Sequence, residues 1–350
     1  MSFFENIFHK NKKGESVILI DIGANNIAGA YVRYEEGEVP TLLYTRTAPI
    51  EIRVSERREL SMLRALTALG TTLIREGAPI LTRATGSGRA DIILVSVDAP
   101  WQETSVRTEQ FEEKEPFEFT KSVITKRLEE TNVASSEKMI PDESIIGTIL
   151  NGYETRNPYG KKASRASVIV LTSLIERNAA NSIVTELRSL FHTTRILPIA
   201  GSSIRYQAMR LVFPHEANAI ILDATGGLVS VSLVRKGLFS TLVQIQTPPE
   251  NRDWLTLVTS ELTEISKNFP LPRTIFLLAR EPEIFTLRKE LESADFGPLW
   301  LSDNPPKIVS VLKNHLASSI RHMATDPADI VLLLMTLYFQ NRRSSPNDIG

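Results

Sequence analysis

Two short segments, about two hundred residues apart, share a pattern of residues suited to holding a phosphate. Each is an apolar strand that ends in aspartate, followed by a glycine turn and a second apolar strand. The aspartates are Asp21 and Asp223, and the turns lie at Gly23 and at Gly226-Gly227. A glycine turn lets backbone N–H groups approach a phosphate because no Cβ blocks them. A carboxylate at the strand end can hold a divalent cation, usually through water. Two copies predict two similar lobes that close on one nucleotide.

The candidate nucleotide-binding residues are those of the two turns. They are Asp21, Gly23, Ala24, Asn25 and Asn26 in the first turn, and Asp223, Gly226 and Gly227 in the second. Asp21 is also the candidate ligand of a metal ion, through water. ATP and Mg²⁺ are the cofactors that such a site implies. A structural interpretation of both aspartates remains open, because aspartate commonly caps a tight turn with its side-chain oxygens.

The chain resembles the actin-like ATPase superfamily, and within it the bacterial FtsA and PilM proteins of cell division and type IV pilus assembly. Besides the paired turns, three stretches carry the resemblance. They are the basic lead Met1–Gly14, the segment Ile149–Gly160 with its Asn-Pro-Tyr-Gly turn, and the run from Leu197 through a helix into the second turn. The likeness is one of order and spacing. It implies a two-lobed α/β actin-like fold of duplicated ribonuclease H-like domains, with an inserted subdomain of the FtsA/PilM type.

The resemblance and the pattern of strands and helices divide the chain into five parts. Residues 1–90 are the N-terminal part of the first lobe, 91–190 the inserted subdomain, 191–216 the return helix of the first lobe, 217–342 the second lobe and 343–350 a disordered tail. In FtsA and PilM, an insertion of this kind is a partner-binding surface rather than part of the nucleotide cleft. The resemblance therefore implies a partner-binding role for 91–190.

Local patterns predict individual elements. Helical periodicity covers 56–76, and the small polar residues of 82–90 predict a flexible loop. An amphipathic helix over 120–130 has Thr120 as its candidate N-cap.

The longest apolar run, Ile330–Phe339, is too short to span a bilayer. Asp326 and Pro327 before it supply a helix start, with the aspartate as N-cap and the proline at the first helical position. This pattern predicts the closing core helix of the second lobe. The alternative is an amphipathic helix that attaches the protein to a membrane, for which Arg342-Arg343 would suit the lipid headgroups.

Several positions depart from the family pattern. In the second turn, Ala224-Thr225 and Leu228-Val229 stand where relatives carry an aliphatic–glycine step and a hydroxyl pair. After a later strand, the stretch Ala279–Glu283 replaces the glycine turn against which adenosine packs in the family. Each lost charge-assisted hydrogen bond is worth about 1.5–3 kcal/mol. We therefore expect weakened nucleotide binding and a weak or inactive ATPase.

Bulk composition excludes some classes of function. The net charge of −1 argues against a dedicated nucleic-acid binder, which needs a strong basic excess. The chain has no cysteine, so disulfides, thiolate metal sites and thiol nucleophiles are excluded. Residues 1–14 lack the continuous apolar core of an export signal, so we expect a cytoplasmic protein.

These observations predict a scaffold protein of cell division or type IV pilus assembly. Its expected partners are proteins of a membrane-associated assembly, with self-association as a further possibility and without a membrane span of its own. It would lie at the inner face of the membrane through such a partner. The competing hypothesis is an ATP-dependent small-molecule kinase of the same fold, which needs a catalytic aspartate in the cleft; Asp91 and Asp98 flank a suitable strand.

Overall fold

The structure is a computed structural model. It describes residues 14–130, 137–155, 157–245, 253–281, 283–296, 299–300 and 306–344, with only the backbone described at 141–142. The basic lead and the predicted tail lie almost wholly outside the described residues.

A six-stranded sheet forms the first lobe. Its spatial order is β15 (Arg321–His322), β3 (Thr41–Pro49), β2 (Asn26–Glu35), β1 (Gly14–Ile22), β4 (Ile92–Val97) and β9 (Ile196–Ala200). The β1–β2–β3 pairs are antiparallel, whereas β4 runs parallel to β1 and β9 runs parallel to β4. The first predicted phosphate turn is the hairpin that joins β1 to β2.

A five-stranded sheet forms the second lobe and repeats this plan. Its order is β12 (Leu238–Ile245), β11 (Val229–Arg235), β10 (Ala219–Asp223), β13 (Thr274–Leu278) and β14 (Lys307–Ser310). The β10–β11–β12 pairs are antiparallel and the next two are parallel, as in the first lobe. The second turn therefore occupies, between β10 and β11, the place that the first turn occupies between β1 and β2. This repeat confirms the predicted duplication.

A separate four-stranded antiparallel sheet lies between β4 and β9 in the chain. Its order is β5 (Gln102–Glu118), β8 (Lys162–Glu176), β6 (Lys138–Leu150) and β7 (Tyr153–Glu154). Helix α3 (Lys121–Glu130) packs on it through a core that includes Phe111, Ile124 and Val168. The hydroxyl of Thr120 accepts a hydrogen bond from the Val123 N–H at 3.3 Å, which confirms the predicted N-cap.

The remaining helices are α1 (Arg58–Thr72), α2 (Ala78–Thr85), α4 (Arg177–Phe191), α5 (Gly201–Val212), α6 (Trp254–Asn268), α7 (Glu283–Ser293) and α8 (Ile330–Ser344). A single π-helical turn, Leu73–Gly77, joins α1 directly to α2. The prediction of a loop over 82–90 was therefore wrong in its first part. The helix continues to Thr85, and Gly86 ends it in the left-handed conformation at φ 80°.

Two elements of the predicted insertion pack in the first lobe. Strand β4 lies between β1 and β9 in the first sheet, and helix α4 lies against α1. The Thr67 hydroxyl donates to Glu186 at 2.6 Å, and a Cβ at Gly70 would come within 2.6 Å of Leu190. We therefore propose Gln102–Glu176 as the inserted subdomain. The other domain bounds stay predictions.

Successive side chains of β1 enter two different cores, because they alternate between the faces of the sheet. Val17 and Leu19 pack in the core that contains α5 and α8. Ile18, Ile20 and Ile22 pack in the core that contains α1 and α4. This double burial explains why the strand that leads into the first turn is apolar at every position from 17 to 20.

Helix α8 is a core helix, as the first of the two interpretations predicted, but it packs against α5 and against β1 and β2 of the first lobe. All side chains from Ile330 to Phe339 are buried, and the Phe339 ring lies 4.9 Å from that of Tyr34 on β2. Its predicted start was wrong: Asp329, not Asp326, caps it, accepting from the Val331 N–H at 3.0 Å. Among the helices of the described residues, none combines the length and apolar character that crossing a bilayer requires.

Removing a buried side chain at the centre of α8 should destabilise the whole fold. Leu334 is fully buried, so we expect Leu334→Ala to lower the free energy of unfolding by about 2–5 kcal/mol, measured by denaturant unfolding. The control is Leu257→Ala on α6, where the leucine is 40% exposed and the change should stay within about 0.5 kcal/mol. A detached membrane-binding helix would leave the two variants alike.

Candidate functional site

The two aspartate turns face each other and touch. A Cβ built on Gly227 in the second turn would overlap the Cβ of Ala24 in the first, so only glycine permits this approach. The nearest atom to a Cβ on Gly226 would be the Asp98 Cβ at 3.9 Å. The prediction that the two turns face each other between the duplicated halves is confirmed, but the turns are in direct contact rather than separated by a crevice.

The first turn is held by its backbone. The Gly23 N–H donates to the Asn26 carbonyl at 3.0 Å, and the Asn25 carbonyl accepts from the Ile50 N–H at 2.8 Å. The Gly23 carbonyl accepts from the indole N–H of Trp101 at 2.8 Å. Since β5 begins at the next residue after Trp101, the entry to the inserted sheet is fastened to this turn.

Asp21 is fully buried at the end of β1. One carboxylate oxygen, Oδ2, accepts from Arg280 Nη2 at 2.8 Å. The other, Oδ1, has no hydrogen-bond partner among the described protein atoms. Burial raises the pKa of Asp21 to about 6; the Arg280 charge opposes this shift, and the neighbouring carboxylates of Asp98 and Asp329 add to it.

Arg280 connects the first turn, the second turn and α8. It follows β13, at the place where the family pattern predicts a glycine turn for adenosine. Besides Asp21, its guanidinium pairs with Asp329, the cap of α8, and its Nε donates to the Thr225 carbonyl of the second turn at 2.7 Å. Its Nη2 would lie 3.4 Å from a Cβ on Gly23. A side chain of the second lobe is thus placed beside the turn of the first.

Arg205 on α5 makes a second bridge of the same kind. Its two Nη atoms donate to the Asp98 carboxylate at 2.8 and 2.7 Å, and its Nε pairs with Asp223. Asp98 follows β4 in the first lobe and Asp223 ends β10 in the second, so Arg205 also joins the lobes. A Cβ on Gly201 would overlap the Asp98 carboxylate, so this glycine permits the approach.

Asp223 also stabilises its own turn. Its Oδ1 accepts from the Thr225 N–H at 3.0 Å and from the Thr225 hydroxyl at 2.6 Å. This is the geometry of an aspartate that caps a tight turn. The contacts of Asp223 therefore agree with the structural interpretation, in which the aspartate caps its own turn.

The two bridges form one buried cluster of charges. Four carboxylates face two guanidinium groups, so the cluster is net negative even with both arginines charged. Burial alone would lower the pKa of Arg205, but Asp223 and Asp98 outweigh it and the pKa lies above its usual value. For Arg280, Asp329 and Asp21 outweigh burial in the same way. Both guanidinium groups therefore stay protonated.

In this arrangement the cluster does not fit a metal–triphosphate between the turns. The turns are in contact, and the carboxylates of Asp21 and Asp223 are engaged by arginine. Within the described residues, no three acidic or histidine side chains converge as a metal site would require. A bound nucleotide would need Arg280 to leave Asp21, and nucleotide binding by these turns stays a prediction.

Part of this site follows from the sequence. The pattern predicts both turns, and the structure brings Asp21, Ala24 and Gly227 together; the carbonyls of Asn25 and Asn26 accept hydrogen bonds. The pattern indicates Asp98 only for a kinase. It does not indicate Arg205 or Asp329, and it indicates Arg280 only as part of a stretch that would obstruct adenosine. The available signal was the repeat itself, since Arg280 and Asp98 both follow the strand next to the aspartate strand of their lobe.

The raised pKa of Asp21 predicts a pH dependence of stability. The folded chain holds this proton more tightly than the unfolded chain does, since the folded pKa of about 6 exceeds the ordinary 3.8. The stabilisation is complete below about pH 4 and is lost as the pH rises through about 6. Between these values, the free energy of unfolding of the wild type should fall by about 3 kcal/mol relative to Asp21→Asn, measured by denaturant unfolding. Parallel pH profiles for the two proteins would contradict this.

Comparisons with known proteins place the fold. No family model and no curated protein matches the chain. The chain is similar to a solved PilM–PilN type IV pilus biogenesis complex, with 12% identity over 93% of this chain and 98% of that one and a TM-score of 0.53. It is also similar to a Bacteroides thetaiotaomicron protein with an actin-like ATPase fold and unknown function, at 9% identity over 85% and 91% of the chains and a TM-score of 0.42.

A third similar structure is the Aquifex aeolicus PPX-GPPA enzyme, at 11% identity over 80% of this chain and 72% of that one and a TM-score of 0.37. TM-scores below 0.5 do not decide the fold, so the conclusion rests on the PilM likeness and on the repeated sheet plan. The chain has the actin-like ATPase fold that the sequence predicted.

Proposed function

We propose that this chain is an actin-like scaffold of type IV pilus assembly or cell division. Ion pairs between its own side chains hold the two lobes together, and ATP hydrolysis does not control their arrangement. The observation that carries the proposal is the position of Arg280, bonded at once to Asp21, Asp329 and the second turn. The likeness to the PilM structure supports the pilus branch of the proposal.

The ion pairs oppose ATP turnover in two ways. A triphosphate would enter a cluster that is already net negative, which repels it. Mg²⁺ would need the Asp21 carboxylate that Arg280 holds, and charge-assisted hydrogen bonds of this kind are worth about 1.5–3 kcal/mol each. A nucleotide that does bind acts as a conformational ligand, because it must displace Arg280 and so separate the bridge between the lobes.

A protein partner is the second part of the proposal. In the solved complex PilM is associated with PilN, and we assign this chain a partner of the PilN type. The inserted sheet β5–β8 is the proposed surface, since Trp101 at its entry binds the first turn directly. Through such a partner the chain would lie on the cytoplasmic side of a membrane, and self-association through the same assembly remains part of the proposal.

The kinase hypothesis lacks an observation in its favour. It needs a cleft aspartate free to act as a base, and Asp98 is held by both Nη atoms of Arg205. Asp91 accepts instead from the backbone N–H and the hydroxyl of Ser16, each at 3.0 Å.

Isothermal titration calorimetry with ATP–Mg²⁺ tests the proposal on the wild type and on Asp21→Ala. We expect no saturable heat for either protein up to about 1 mM nucleotide, and no phosphate release above buffer, because Arg280 blocks the carboxylate that the metal needs. In parallel, the wild type should form a stable complex with the purified PilN-type protein of the same genome, by size-exclusion chromatography.

The matched control is Asp91→Asn, which changes a carboxylate outside the cleft and should behave as the wild type in both assays. Micromolar ATP affinity with phosphate release, lost in Asp21→Ala and kept in Asp91→Asn, would refute the scaffold proposal and restore an ATPase. Absence of a complex with the PilN-type protein would remove the pilus branch alone.

A further inference from the structure

An exposed patch of apolar and arginine side chains lies between β3 and the start of α1. Its members, here called the β3–α1 patch, are Ile52, Arg53, Val54, Arg57, Arg58 and Leu60. Eleven large apolar side chains of the described residues are exposed, and three of them, Ile52, Val54 and Leu60, fall within the nine positions 52–60. Such a local concentration of exposed apolar surface marks a site of interaction rather than ordinary scatter.

The chain around the patch is anchored at its base. The Ile50 N–H donates to the Asn25 carbonyl at 2.8 Å, and Arg64 on α1 donates to the Glu51 carbonyl at 2.6 Å. Arg64 also pairs with the Glu56 carboxylate at 2.8 Å. Hydrogen bonds from Arg64 and from a serine hydroxyl lower the pKa of Glu56 to about 2, so this carboxylate is charged and already balanced. The patch is therefore presented by a fixed backbone.

The tip of the patch is convex. Val54 is 98% exposed, so it touches almost nothing else in the chain. The next residue, Ser55, has a φ of 66°, which turns the chain back at this point. A protruding valine of this kind does not form the wall of a groove. It suits insertion into a surface that needs no complementary pocket, and a lipid bilayer is such a surface.

The charge of the patch selects an anionic surface. Arg53, Arg57 and Arg58 are exposed, and among the described residues none of their guanidinium groups has a carboxylate within ion-pair distance. Arg64 balances Glu56. Glu51 and Glu59 offset two of the three arginine charges, so the patch keeps a net positive charge of one. Guanidinium groups bind phosphate oxygens through paired hydrogen bonds, and their aliphatic stems extend along apolar surface.

We propose that the β3–α1 patch is a direct peripheral contact with an anionic bilayer. Ile52 and Val54 enter the boundary between headgroups and acyl chains, and the three arginines bind lipid phosphates. This contact goes beyond the proposed scaffold role, in which the membrane is reached through a protein partner. Because Asn25 holds the base of the patch, the contact also places the first turn close to the bilayer.

Vesicle flotation tests the proposal with the full chain alone. We expect the wild type to float with vesicles of phosphatidylcholine and phosphatidylglycerol, and not with phosphatidylcholine alone. Replacing the apolar tip (Ile52→Ser with Val54→Ser) or the cations (Arg53→Gln, Arg57→Gln and Arg58→Gln) should each lower the partition coefficient on the order of ten-fold. Raising the salt should weaken wild-type binding.

The matched control is Phe285→Ser, which removes a 63% exposed aromatic side chain on α7 in the second lobe and should float as the wild type does. All these positions are exposed, and circular dichroism checks that each variant is folded. The proposal is overturned if the wild type stays with the buffer fraction, or if the patch variants float as well as Phe285→Ser. A wild type that ignores vesicles, but loses its PilN-type partner when the patch is changed, assigns the patch to a protein contact instead.

Discussion

The ion pair between Arg280 and Asp21 is the constraint on which the arrangement of this molecule depends. A carboxylate with no exposure to water needs a positive partner or a proton. Asp21 stands at the end of the central strand of the first lobe, and its cation comes from the second lobe. The same guanidinium binds the cap of α8 and the carbonyl of Thr225. One side chain therefore connects the first lobe, the second lobe and helix α8.

Arg205 makes an equivalent bridge between Asp98 of the first lobe and Asp223 of the second. Buried ion pairs are often a weak source of net stability, yet removing one partner is costly because the other charge is left unpaired. Their effect here is geometric. The turns can meet only because Gly227 leaves space for Ala24, and the Asp98 carboxylate can lie against the start of α5 only because Gly201 leaves space for it. The ion pairs of Arg205 and Arg280 thus stabilise one closed arrangement of the lobes.

The elements whose pattern is local could be predicted from sequence. The aspartate–glycine turns, strand β4 and the cap at Thr120 each follow from residues close together in the chain, and the likeness of the two turns predicts the duplication. The charge cluster could not, because Arg280 and Asp21 are 259 residues apart and Arg205 and Asp98 are 107 apart. Asp326-Pro327 has the pattern of a helix start but lies one turn too early. The small polar residues from Thr82 on predict a loop, whereas Leu81, buried in the core, holds a helix that continues to Thr85. The sequence of a buried strand such as β4 is the same whether the strand belongs to an insertion or to a lobe, because only its pairing partners determine which sheet it joins.

A double-mutant cycle on Arg280 and Asp21 tests the central claim most directly. The free energy of unfolding is measured for the wild type, Arg280→Met, Asp21→Asn and the double variant at about pH 8, where Asp21 is ionised. A bridge that holds the two lobes together predicts a coupling energy of about 2 kcal/mol or more. A coupling within about 0.5 kcal/mol of zero would mean that the two residues act independently, and that the lobes are held by something else.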